Sequence, residues 1–127
     1  MNEIFCPCGS KQLFVSCCYP FLNNKKWPRT PEALMRSRYS AFVFMQVEYL
    51  IETTHPKTKK YYSEKTIRQW AERLKWIDLT IHEANDSTVK FNARYMDENG
   101  MLQEHKELST FEKANGKWYF LDGVDWD

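Results

Sequence analysis

The stretch Lys75-Trp76-Ile77-Asp78-Leu79-Thr80-Ile81-His82 divides the chain. Before it, apolar residues recur at helical spacing; from Ile77 onward they recur at every second position. Ile77, Leu79 and Ile81 alternate with Asp78, Thr80 and His82, the pattern of a strand with one buried face. Val89, Phe91, Ala93 and Tyr95 repeat it against Lys90, Asn92 and Arg94. Asn99-Gly100 and Asn115-Gly116 mark hairpins, so this half predicts a four-stranded antiparallel meander.

Upstream, Thr30-Pro31 opens a helix, with Thr30 as N-cap, Pro31 at the first helical position and Glu32 near the positive dipole end. It is expected to run to about Met45. A short helix follows around Glu48 to Glu52 and ends at His55-Pro56, because a residue before proline avoids the α region. Ser63 caps a third helix, in which Ile67, Trp70, Ala71 and Leu74 share one face. Three helices and then a meander define an α+β fold with the helices on one sheet face.

On a helical wheel Leu34, Met35, Tyr39, Ala41, Phe42 and Met45 gather on one side with Arg38 among them, while Arg36, Ser40 and Val43 lie opposite. Arg38 therefore points at the sheet, where an unpaired guanidinium is costly. Gln103, His105, Glu107, Ser109 and Phe111 share a strand face. A three-residue turn ending in a left-handed glycine puts them with Val89, Phe91, Ala93 and Tyr95, and with Tyr119 and Leu121; a two-residue turn at Asn99-Gly100 flips them. The wider turn gathers the apolar residues and is preferred. Arg38 and Glu107 are then expected to meet inside, with Tyr39, Ser109 and His105 nearby, as a binding pocket or as a buried pair that fixes register. His55 reads as a helix end and His82 as solvated. The same alternation leaves Leu102, Leu108, Trp118 and Phe120 outside, needing a cover such as a dimer partner or a zinc knuckle formed by the cysteine-bearing residues 1–18; a two-residue turn at Asn115-Gly116 would bring Trp118 and Phe120 in.

All four cysteines fall in Cys6-Pro7-Cys8-Gly9-Ser10-Lys11-Gln12-Leu13-Phe14-Val15-Ser16-Cys17-Cys18. A Cys-x-Cys turn reversed at Gly9 and a returning Cys-Cys pair supply four soft donors, the requirement of tetrahedral zinc. Four thiolates leave no open position, so such an ion is structural. Disulfides and redox-active thiols are the alternatives.

With 127 residues, 43% hydrophobic and 16% aromatic, the chain can fill one core, and a formal charge of +1 implies no general attraction to nucleic acid or acidic membranes. Met-Asn-Glu-Ile-Phe-Cys lacks the look of a signal peptide and no apolar run is of membrane-spanning length, so a cytoplasmic, reducing setting is expected.

Cys-Pro-Cys-Gly-Ser with the later Cys-Cys pair resembles the SEC-C zinc motif, found also at the tail of the bacterial preprotein-translocase ATPase. Leu34-Met35-Arg36-Ser37-Arg38-Tyr39-Ser40-Ala41-Phe42, then Tyr49-Leu50 and His55-Pro56, resemble the YchJ-like family of uncharacterised bacterial proteins. The resemblance extends to Glu107, Ser109, Phe111, Trp118-Tyr119 and Asp122-Gly123, and so covers nearly the whole chain. It implies a nuclear-transport-factor-2-like (cystatin-like) cone and no agreed reaction. Departures are Thr54 for the family's Trp before His-Pro, Leu108 for an Arg after the glutamate, and no second, C-terminal knuckle within these residues.

The expected organisation is a zinc knuckle at 1–18, a connector at 19–30 and the cone at 31–127. The leading functional expectation is a non-enzymatic binding or adaptor protein. Its knuckle docks a protein, with Lys11, Lys25, Lys26 and Arg29 suiting an acidic surface, and its cone holds a small ligand or dimerises. An acid/base enzyme using Glu107 and Arg38 is the alternative, and RNA binding through the knuckle a weaker one. No Ser-His-Asp arrangement or glycine-rich phosphate loop is present.

Overall fold

The computed structural model describes residues 4–126. Helices α1 (Tyr19–Leu22), α2 (Pro31–Val43), α3 (Val47–Glu52) and α4 (Glu64–Arg73) precede strands β1 (Lys75–Ala84), β2 (Thr88–Met96), β3 (Leu102–Ala114) and β4 (Lys117–Asp125). The caps are those the sequence predicts. Thr30 Oγ1 accepts from the Ala33 amide at 3.0 Å, and Ser63 Oγ from the Thr66 amide at 3.0 Å. Helix α2 stops at Val43, short of Met45, because Met45 takes a left-handed φ of 59°. The segment read as a connector contains α1, and the Trp27 indole pins it to the sheet by donating to the Trp118 carbonyl at 2.9 Å.

The strands form one antiparallel sheet in the order β1-β2-β3-β4, and α2 crosses its concave face. Register decides what faces that side. At the first hairpin Met96 opposes Leu102, Asp97 and Met101 pair by a 3.0 Å backbone bond, and Gly100 has φ 75°. This is the wider, three-residue turn. Val89, Phe91 and Ala93 consequently stand opposite Ser109, Glu107 and His105.

Three expectations about which residues face the core are overturned. Asn115-Gly116 makes a two-residue turn, with φ 53° and 80° and Ala114 opposite Lys117. Phe120 therefore opposes Phe111 in the core at 8% exposure and Trp118 packs beside it, while Tyr119 faces Trp27 outside. A bulge then absorbs Leu121 and sets Gly123 opposite Ser109. In β1 the register slips between Trp76 and Asp78, so Ile77 is 46% exposed and Trp76 turns inward opposite Tyr95. In α4 Ile67 and Ala71 are buried, but Trp70 is 49% exposed.

The main core joins Leu34, Met35 and Tyr39 of α2 to Leu79, Phe91, Phe111 and Phe120, and includes Cys6, Cys8 and Cys18. A second cluster, with Ala41, Val47, Leu50 and Ile67, ties α2 to α3 and α4. Burying each large apolar side chain contributes about 1.5–3 kcal/mol. Among the described residues no helix is long and apolar enough to cross a membrane.

Candidate metal centre and cone cavity

Two short backbone pairings build the cysteine clasp. The Cys6 amide donates to Gln12 at 2.8 Å and the Phe14 amide to Ile4 at 2.9 Å, closing a small hairpin through Gly9. Gly9 has φ 83°, and a Cβ there would come within 3.1 Å of the Leu79 carbonyl oxygen, so reversal and close approach both select glycine. A 3-10 turn over Phe14–Ser16 then delivers Cys17 and Cys18.

The four sulfurs lie within 4.8 Å of one another and all four cysteines are free. The Cys8 and Cys17 sulfurs are 3.7 Å apart. Zinc–sulfur bonds of about 2.3 Å give a tetrahedral edge of about 3.8 Å, so the spacing suits one ion; a disulfide needs about 2.05 Å. Crowding splits the thiols. Bonding with Cys18 and Cys6 lowers Cys8, bonding with Cys6 and Cys8 raises Cys18, and burial pushes Cys17 up to about 11. A bound dication would resolve the conflict by holding all four as thiolates.

The face of α2 opposite its apolar stripe receives this clasp. Arg36 Nη1 donates to the Cys8 carbonyl at 2.6 Å, and Arg36 Nε to Glu32 at 3.0 Å. Ser40 Oγ meets Cys6 Sγ at 3.5 Å. The helical wheel placed Arg36 and Ser40 on that side; nothing in it revealed what would cover them.

The other candidate residues meet at a cavity of about 380 Å³ between α2, α4 and the sheet, lined by Arg38, Tyr39, His105, Glu107 and Ser109. Arg38 and Glu107 face the same space without pairing directly. Helix α3 reaches Arg38 first, since Nη1 donates to the Leu50 carbonyl (3.0 Å), Thr53 Oγ1 (2.7 Å) and Thr54 Oγ1 (3.4 Å). These acceptors lie at the negative end of the α3 dipole. The guanidinium also stacks on Phe120, 4.4 Å from the ring centre. Burial lowers its pKa to about 10, leaving it charged at neutral pH. Among the described residues nothing accepts from Nε or Nη2, neither atom is fully buried, and Arg38 lines the cavity.

Glu107 finds its partners on its own strand. Oε1 lies 2.9 Å from His105 Nε2, and Ser109 Oγ donates to Oε2 at 2.5 Å. Burial alone would raise this carboxyl, but the His105 and Ser109 bonds outweigh it and hold Glu107 below the ordinary carboxylate range. Bonding to Glu107 raises His105 in return, against the burial that would lower it.

Sequence reasoning missed Trp76, Trp70 and Gly123 as lining residues. Trp76 enters through the β1 bulge, which plain alternation hides. Gly123 had a signal, a glycine inside a strand, which marks close approach. A Cβ at that position would overlap the Glu107 carboxylate. His55 is buried, with Nδ1 accepting from the Lys57 amide at 3.0 Å. Its Nε2 sits 3.3 Å from Glu112 but out of hydrogen-bonding alignment.

A cysteine clasp seated on a helix-and-sheet cone defines the class: a SEC-C-type motif joined to a nuclear-transport-factor-2-like domain. Residues 30–123 match the family described as "YchJ, middle NTF2-like domain". A UPF0225 protein of Geobacter sulfurreducens is 38% identical over 125 residues, covering 93% of this chain and 77% of that one. One from Serratia proteamaculans is 38% identical over 126 residues, covering 94% and 82%. The solution structure of a SEC-C motif containing protein from Rhodopseudomonas palustris superposes with a TM-score of 0.88 at 37% identity, covering 100% of both chains. A crystal structure of a SEC-C motif containing protein from Psychrobacter arcticus gives 0.80 at 34%, covering 95% of this chain and 82% of that one. The chain belongs to the YchJ-like family, UPF0225.

Proposed function

We propose that the chain is a cytoplasmic binding protein in which a structural zinc ion on Cys6, Cys8, Cys17 and Cys18 fastens the clasp to α2 and the cone holds a small ligand. The observation that carries this reading is the cavity: about 380 Å³, walled by aromatic residues, with an Arg38 edge that no group among the described residues engages. Its volume suits a small molecule, for which pockets of roughly 300–1,000 Å³ are usual. Tetrahedral thiolates favour zinc over hard cations, and a four-sulfur site leaves no position for a reacting water. NMR spectra of the full chain against a library of small acids, amines and neutral amides test the cone. Shifts confined to the cavity support the reading; a cavity silent to every class overturns it.

Docking through the clasp is the second part of the proposal. Ile4, Phe5, Leu13, Val15 and Tyr19 leave exposed apolar surface there, Phe5 the most of the five. Lys11, Lys25, Lys26 and Arg29 suit an acidic protein partner. Deleting residues 1–18 would also strip Cys6, Cys8 and Cys18 from the core, so Phe5→Ser is the cleaner probe. A pull-down that Phe5→Ser leaves unchanged contradicts docking at this surface. Leu102 and Val124, exposed on the outer sheet face, would serve a second copy of the chain, which sedimentation reads.

The Ser109–Glu107–His105 chain favours one other reading, acid/base catalysis in the cavity. A carboxyl held low is a weak base, which counts against it. Turnover of a cavity ligand that Glu107→Gln abolishes would support it.

A further inference from the structure

We infer that the cone's ligand is a small carboxylate with a flat apolar body, its head group on the open Nε–Nη2 edge of Arg38. This rests on the ligand-binding reading above. Among the described residues lining the cavity, only Arg38, His105 and Glu107 carry or acquire charge in the neutral range. They are not equally served. Each Glu107 oxygen already has a donor, His105 on Oε1 and Ser109 on Oε2. Arg38 touches only a carbonyl, two threonine hydroxyls and a ring face, which are dipoles; Glu107, the one carboxylate in the same space, attracts it from a distance and spends its hydrogen bonds on His105 and Ser109. A buried cation with no anion in direct contact is costly, so an occupant bringing one negative charge onto its open edge is favoured.

The geometry of the open edge narrows the class. Two N–H groups side by side match the two oxygens of a carboxylate. A dianion such as a phosphate monoester fits poorly, since it would find one open cation and share the space with Glu107. The body follows from the walls. Trp70, Trp76, Phe91 and Phe120 surround the space, and aromatic faces favour a planar or compact apolar group. The half-exposed Trp70, its ring 6.0 Å from His105, forms the lip.

NMR titration of the full chain with phenylacetate, phenylacetamide, phenethylamine and phenyl phosphate tests this, because the four probes share a ring and differ in head group. Phenylacetate is expected to shift the Trp70 indole N–H and the Arg38 Nε–H, and to bind at least about tenfold more tightly than the other three, roughly 1.4 kcal/mol. Equal affinities within the cavity, or a preference for the amine or the phosphate, overturn the carboxylate assignment while leaving a ligand-binding cone. Silence from all four overturns it too, and the broader reading then falls only if the wider library is also silent. Arg38→Lys, which keeps the charge and loses the fork, should erase the preference for phenylacetate. Arg38 also ties α2 to α3, so the variant's amide spectrum is read first. If that variant is unfolded, the Nε–H shift in the unsubstituted chain decides.

Discussion

Glu107 owes its position to a residue that is missing a side chain. Because Gly123 sits across the strand pair with no Cβ, the carboxylate can lie flat against β4. Gly123→Ala should displace it and cost about 1–3 kcal/mol, as overpacking does, with loss of ligand shifts; an unchanged urea midpoint would contradict this. The His105–Glu107 pair sets a pH dependence. His105 is raised by Glu107, so its contribution is complete below 6.5 and is lost as pH climbs through the raised folded value. Glu107 is lowered, so its contribution is present above 4.5 and is lost as pH falls through the lowered folded value. The pair therefore adds most between 4.5 and 6.5. Urea unfolding of the chain and of Glu107→Gln across this range should show their stability difference shrinking on both sides of it; a constant difference would rule the pair out. At this scale the inward turn of Arg38 was legible, because it lies in an apolar stripe. Its partners were not, because Thr53 and Thr54 come from the end of α3 and the turn after it and answer it before Glu107 can.

Identical dipeptides make different turns in the two hairpins, and the elements around them explain why. Asp97 Oδ1 accepts from the amides of Asn99 and Met101, both at 2.9 Å, and so holds the first hairpin in its wider form. At Asn115-Gly116 the strands pair up to Ala114 and Lys117, which leaves two residues to reverse the chain. Asn-Gly therefore announced a hairpin correctly in both places and left its width to the flanking residues. The bulge at Ile77 had no comparable signal, since Trp76 and Ile77 are equally good strand formers facing either way. Capping, by contrast, was fully local and legible. Thr30→Ala should lower stability by about 1 kcal/mol in chemical denaturation, and no loss would mean the α2 cap is not a significant contributor.

At the scale of the molecule, the clasp and the cone share a core. Cys6, Cys8 and Cys18 pack in the same cluster as Leu34 and Phe91, and Arg36 bonds the clasp backbone from the far side of α2. The sequence made the donor set plain, because four cysteines fall within thirteen residues. It hid where the set docks, because that depends on a contact across 34 positions, from Cys6 to Ser40. Zinc binding in small thiolate modules is worth roughly 10–16 kcal/mol, enough to organise a segment with little core of its own. Chelation should therefore loosen α2 along with residues 4–18, and the disturbance should reach the cavity through Arg38 and Tyr39. The most direct test of the structural-metal account is native mass spectrometry of the full chain, followed by amide exchange before and after chelation. The account predicts one zinc ion per chain, and on its removal faster exchange both in the clasp and along residues 31–43. A chain that carries no metal, or one that exchanges identically with and without it, would contradict the account.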